Sequence, residues 1–508
     1  MFSALTLGLA ASLASPAMAF WRMPCPGNLI HERADPIVSP GQISGHVHTI
    51  MGGNGFGFDM TYQQARNSQC SSCPITKDMS NYWVPTLYYH AQNGSFISVP
   101  QVGGATVYYE QRGGPNNDQL LAFPEGFRML AGNPFLHTYN DTFEQQAVSY
   151  ACLNYNGPAT AETHAFPNNN CPDGLRAQVY FPSCWDGVNL DSPDHKSHVA
   201  YPESVAYNDG PCPASHPKHL ISLFYEVIWD VNQFANDWYG DEQPFVWSSG
   251  DATGYGYHGD FVNGWDVPTL QNAVDTCLAD SGALTDCPVF ELYDDSFCQS
   301  CKIPPSVDEQ VDGVLEFLPG CNAYNDGKTV GSTQGCVNNA KIGQPETFYT
   351  DLTHSMGWEY AGCASDNYFT RTLNGYSFSD DAMTVEKCVQ GCSAKGYTYA
   401  GTEYASQCYC DNSVLSGRAP IPGVMGQCTM KCNGDDGEYC GGSGALSLYQ
   451  KCGGSCQNAQ YGVVGNSTST TSATSSGTSS VPLSTGTTGA TSRRAVHRRA
   501  RHGNRWDM

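Results

Sequence analysis

The sequence predicts a mainly β protein: a large β-sandwich-like N-terminal domain with few helices, plus a small disulfide-rich module. Three observations carry that expectation. Short runs rich in aromatic and β-branched residues, "NYWVPTLYYH" from 81, "GATVYYEQ" from 104, "LRAQVYFPSCW" from 175 and "HLISLFYEVIWDV" from 219, are separated by Gly, Pro and Asn clusters, as strands are by turns. These runs recur over roughly 330 residues, the size of one large domain or a sandwich with embellishments. Of the 23 cysteines, eight crowd between positions 363 and 440, the mark of a small fold held by cross-links.

In chain order, "MFSALTLGLAASLASPAMAF" is an apolar run with small residues ending Ala17-Met18-Ala19, so residues 1–19 read as a cleavable secretory signal. The run is short for a membrane span, and no later segment is apolar enough to cross a bilayer. Residues 20–350 form the β-rich domain. Its helical exception is "VPTLQNAVDTCLAD", where Leu270, Ala273, Val274 and Cys277 share one face. Cys70-x-x-Cys73 and Cys298-x-x-Cys301 have the spacing of a four-thiolate zinc site, although secretion favours disulfides. Residues 356–450 hold Cys363, Cys388, Cys392, Cys408, Cys410, Cys428, Cys432 and Cys440, enough for four disulfides. Residues 451–508 are a Ser/Thr-rich disordered tail with a basic end, too polar to bury a core.

Sequons at Asn93, Asn140 and Asn466 agree with secretion to the extracellular space or cell wall, and an odd cysteine count leaves at least one thiol unpaired or paired to another chain. Net charge is −24, and the last sixteen residues hold six Arg, so residues 1–492 carry −29. Such a body repels nucleic acid and anionic lipid. Neutral polymers remain as partners.

The cysteine module resembles the WSC domain of fungal wall-stress sensors and secreted wall-binding proteins. The resemblance rests on "GCASDN" at 362, "RTLNGY" at 371, "MTVEKCVQGCSAKGYTYAGTEYASQCYC" from 383 and "GEYCGGSGALSLY" at 437. One departure is Ala405, where the family commonly has Gly after the Tyr. The resemblance implies binding of wall polysaccharide (glucan, chitin, mannan or xylan). Tyr397, Tyr404 and Tyr409 offer flat ring faces for sugars, or else fill a small core. The N-terminal part resembles a fungal secreted domain of unknown function, DUF1996, through "RADPIVSPGQISGHVHTIMGGNGF", "AFPEGFRMLAGNP", "CPDGLRAQVYFPSCWDGVNLDSPDHKSHVAYP" and "GDATGYGYHGDFVNGWD". That family name implies no activity.

Chemistry must therefore come from the residues. His46 and His48 alternate in "GQISGHVHTIMGGNGF", so in a strand they share a face. Asp194, His195, His198 and Glu203 cluster in a second string, and His258, Asp260 and Asp266 in a third. His46, His48 and either His198 or His258 would give a divalent metal ion three neutral nitrogens, with Asp260 completing or orienting the shell. The same His46, His48, His198, His258 and Asp260 would serve as acid and base in a polysaccharide hydrolase or lyase, with Glu203, Glu226, Asp251 and Asp260 as carboxylates for hydrolysis. They would equally tie loops together. Trp185, Trp247, Tyr255, Tyr257 and Trp265 lie near these strings as sugar-groove or core residues. No HExxH zinc motif, G-x-S-x-G elbow or phosphate-binding glycine loop is present, and Phe20 rather than a histidine would begin the mature chain. Three roles stand: wall-polysaccharide binding, polysaccharide cleavage and metal holding.

Overall fold

Beside smaller sheets of three and four strands, alternation of apolar side chains builds two five-stranded antiparallel sheets. Ten strands make them: β1 (Phe20–Pro24), β2 (Ile30–Ala34), β3 (Ile43–Gly52), β4 (Asn81–Pro85), β5 (Thr106–Glu110), β6 (Arg128–Gly132), β7 (Val148–Cys152), β8 (Leu175–Tyr180), β9 (Ser222–Trp229) and β10 (His258–Val262). The first sheet runs β1-β5-β9-β8-β7 and the second β2-β3-β4-β10-β6. The computed structural model describes residues 19–461 except 117, 159, 204 and 205. The expected signal segment through residue 18, Asn466 and the Ser/Thr-rich basic tail from residue 462 on lie outside the described residues; the first residues expected to be tail, 451–461, are ordered, with Ala459 and Tyr461 packed on the module's core.

Between the sheets lies the main core. Val107, Tyr109, Val179, Tyr225 and Val227 face inward from the first sheet, and Met51, Tyr82, Val84, Met129 and Phe261 from the second. Tyr82 and Tyr225 meet edge to face across it at 5.7 Å. Each such side chain contributes roughly 1.5–3 kcal/mol by leaving water. The second sheet is covered on its other face too, where Ile30, Ile50, Trp83 and Val262 pack with Phe56 and Met60. This double burial explains the continuous apolar run of β4, whose five residues are all buried.

The expected helix is α1 (Val267–Thr276). Asp266 caps it by accepting from Thr269 N, Pro268 sits in its first turn, and Leu270, Ala273 and Val274 are buried. Among the described residues no helix is long and apolar enough to cross a membrane.

The C-terminal module has its own five-stranded antiparallel sheet, of β11 (Trp358–Ser365), β12 (Tyr376–Ser379), β13 (Tyr399–Glu403), β14 (Gln407–Asp411) and β15 (Ala445–Lys451), ordered β11-β15-β13-β14-β12. Helix α2 (Val385–Ala394) is stapled to β14 through Cys388–Cys408 and Cys392–Cys410. One helical turn separates the first cysteines and one strand period the second, so both bridges fall on facing surfaces. Cys363–Cys428 and Cys432–Cys440 complete the module's four bridges, and Cys452–Cys456 follows.

In the large domain Cys70 bonds Cys301 and Cys73 bonds Cys25, which removes both thiol pairs as a zinc site. Cys298 is the free, buried cysteine. The module is docked rather than strung out: Val424 enters the core beneath the second sheet, Asn54 Nδ2 donates to Gly423 O at 3.0 Å and Gly426 N to Ser300 O at 3.1 Å. Both parts belong to one compact unit.

Candidate functional site

The pleat of β3 places His46, His48 and Ile50 on one face of the second sheet and Val47, Thr49 and Met51 on the other. β4 pairs with β3 on one side (His48 opposite Pro85) and with β10 on the other (Asp260 opposite Trp83), so His258 is carried to the same face. The result is a cluster of three imidazoles. His46 Nε2 lies 3.0 Å from His258 Nε2, and one ring nitrogen from each of His46, His48 and His258 falls within 4.8 Å of the others.

Backbone carbonyls fix two of these rings. His48 Nδ1 donates to Ala34 O at 3.1 Å and His258 Nδ1 to Gly256 O at 2.9 Å, so both Nε2 atoms of the neutral rings carry free lone pairs. His46 then donates its Nε2–H to His258, and His48 Nε2 is buried with no partner. Burial holds all three neutral, helped by His48 and His258 at His46 and by His258 at His48: His46 falls well below its ordinary value, and His48 is lowered to about 3. His258 is lowered to about 4, chiefly by burial.

Buried carboxyl groups surround the cluster. Asp251 accepts from Gly254 N at 2.9 Å and Gly256 N at 2.8 Å, which fixes the carbonyl that orients His258. Asp260, two residues beyond His258 on the same face, has a buried Oδ2 with no partner. Its carboxyl is raised well above the ordinary range by burial and by the charge of Asp35. Lys196 reaches Gly132 O at the end of β6 and pairs with Glu144 at 2.6 Å.

His198 does not join the three. It donates Nε2–H to Arg128 O at 2.8 Å and its Nδ1 meets Ser192 Oγ at 2.9 Å, so both nitrogens are spent on holding the 192–198 loop. In that loop Asp194 accepts from Ser197 N and from Ser192 Oγ, and His195 pairs with Asp191 at 2.7 Å. Glu203 is exposed, Glu226 binds Tyr108 OH and Arg176, and Asp251 is consumed by its turn. Asp266 is a helix cap. Trp247 and Trp265 are fully buried, with indole N–H groups donated to Tyr150 OH and Tyr109 OH, which corrects their expectation as sugar-binding residues. Tyr257 is also buried, Tyr255 is half-buried, and Trp185 donates to Asn189 O.

On the C-terminal module a second constellation lies at the surface. Arg371 pairs with Asp366 and Glu403 at 2.7 Å each, and its guanidinium stacks over Tyr409 at 4.6 Å and Tyr368 at 5.5 Å. Beside it Tyr368 is 79% exposed, Phe369 91% and Tyr404 54%, enough to present whole ring faces to solvent. Asp366, Tyr368, Arg371, Glu403, Tyr404 and Gln407 line a cavity of about 470 Å³. It shares Asp366, Asn367, Ser443 and Gly444 with a larger groove of about 650 Å³, whose far wall is Asp294, Ser296, Phe297, Gln299 and Ser300 of the large domain. Of the three tyrosines expected there, Tyr404 is exposed, Tyr409 is half-buried under Arg371 and Tyr397 packs against the module's core. Sequence reasoning missed Arg371, Tyr368 and Phe369, although adjacent aromatic residues inside the polar string "SDNYFTRT" are the available signal. Asn93 and Asn140 are exposed, as glycan attachment requires.

Comparison with known proteins matches two family models, one described as a domain of unknown function (DUF1996) over residues 35–265 and one as a WSC domain over residues 360–442. A WSC domain-containing protein of Arthroderma benhamiae is 45% identical over 96 residues, 18% of this chain and 10% of that protein. Kremen protein 2 of Mus musculus is 31% identical over 150 residues, 27% of this chain and 32% of the relative. Xylosyltransferase oxt of Drosophila melanogaster is 36% identical over 90 residues, 18% and 10% of the two chains. The chain thus spans a tenth to a third of the length of these relatives.

Proposed function

We propose, for a chain that carries a DUF1996 domain followed by a WSC domain, that it is a secreted, cell-wall-associated protein which binds wall polysaccharide through the WSC module. The supporting observation is the exposed aromatic face of Tyr368, Phe369 and Tyr404 around the Arg371 ion cluster. Rings exposed to this degree lose contact with water when a sugar's C–H face covers them, and the charged cluster beside them supplies donors and acceptors for hydroxyls. Eleven disulfides brace the chain for an oxidising exterior.

The groove shared with the large domain extends this reading. A polymer strand lying over the aromatic face would continue past Phe297 and Ser300, so the large domain would contribute to the contact instead of only being carried along. The test is co-sedimentation of the full chain with insoluble glucan, chitin, mannan and xylan. Retention on one of them in proportion to its mass supports the reading, and no retention on any of the four overturns it.

A further inference from the structure

We propose that His46, His48 and His258 form a binding site for one divalent zinc or copper ion, a property separate from polysaccharide binding. Three observations carry it. Two nitrogens bound at about 2.0–2.1 Å, with an angle of 90–109° between them, stand about 2.9–3.4 Å apart, and His46 Nε2 and His258 Nε2 stand at 3.0 Å. Both His48 and His258 give their Nδ1–H to a backbone carbonyl, the arrangement that fixes the tautomer and aims Nε2 of a metal ligand.

The third observation separates a metal from a purely structural role. A hydrogen bond from His46 to His258 satisfies those two rings and leaves His48 Nε2, in a residue 1% exposed, without a partner. Buried polar atoms without partners are uncommon in folded proteins. A single ion accepts all three lone pairs at once. Neutral imidazoles without thiolates suit zinc and copper. His46 is partly buried while His48 and His258 are buried, so an ion would reach the cluster from the His46 side.

The experiment uses the full, untagged chain, stripped with a chelator and dialysed separately against Zn(II) and Cu(II), with metal per chain counted by mass spectrometry. Wild type and His198→Ala should each retain one ion more than His46→Ala and His258→Gln, whose affinity should fall at least 100-fold. Nitrogen hyperfine structure in the Cu(II) resonance spectrum should vanish in the same two variants. Thermal melting of each stripped protein checks folding, and added metal should raise the melting temperature of wild type and His198→Ala but of neither cluster variant. An ion count unchanged by His46→Ala, as binding by His497 and His502 of the tail would give, overturns the proposal. So does equal loss in His198→Ala.

Discussion

The guanidinium of Arg371 lies 4.6 Å from the ring centre of Tyr409 while its N–H groups reach the buried carboxylates of Asp366 and Glu403. One side chain therefore pairs with two acids and floors the aromatic face of the module. Arg371→Ala leaves two carboxyl groups facing each other, at a cost of about 2 kcal/mol once partial solvent exposure is allowed for. Arg371→Lys keeps the charge but loses the planar stack over Tyr409, so it should fall between the two. Urea denaturation of the three proteins checks the order.

Tyr404 and Ala405 both occupy the left-handed region, with φ of 48° and 64°, in the turn from β13 to β14. Position 405 is where the family commonly carries Gly, and a Cβ in this conformation costs roughly 1 kcal/mol. Ala405→Gly should raise the midpoint of thermal unfolding by a few degrees. A lower midpoint would show that the turn's conformation is not the strained element it appears in the backbone angles.

A hydrogen-bonded chain runs from Trp265 Nε1–H through Tyr109 OH and Tyr82 OH to Asp78 in the large domain's core. Burial raises the Asp78 carboxyl to about 6 from its ordinary 3.8. The native carboxyl keeps its proton through a pH range where the unfolded chain has released it. Its contribution to stability is therefore fully present below pH 3.8 and lost as pH rises through 6. Asp78→Asn should flatten the fall in melting temperature between pH 4 and pH 7; an unchanged pH slope would contradict this.

Cys298 is the odd cysteine, and burial pushes its thiol up to about 12. A thiol so protonated is a poor nucleophile. Ellman's reagent should find no reactive thiol in the native protein and one per chain in guanidinium without reductant. More than one would mean that a disulfide is open.

The strands and α1 were legible because period-two alternation, aromatic runs and a helical face are local signals: Tyr82 and Val84, or Leu270 and Val274, announce their burial in sequence. The meeting of His46 and His48 with His258 was legible only in part. His46 and His48 share a face by strand geometry, but their distance from residue 258 depends on β4 lying between β3 and β10, a long-range pairing that no local pattern encodes. His198 shows the opposite outcome. Its acid-rich string resembles a site, yet Arg128 O and Ser192 Oγ claim both ring nitrogens. Trp247 and Trp265 failed as surface residues because an indole N–H can be satisfied inside a core by a tyrosine hydroxyl.

The most direct measurement is a binding isotherm on the preferred wall polymer for the full chain and for Tyr368→Ala/Phe369→Ala/Tyr404→Ala. These side chains stand in solvent, so the fold should survive their removal and the melting temperature should stay within a few degrees. Loss of at least tenfold in affinity, with Tyr397→Phe binding as wild type does, is the expected result. Unchanged affinity in the triple variant would contradict the account and place the polysaccharide on another surface.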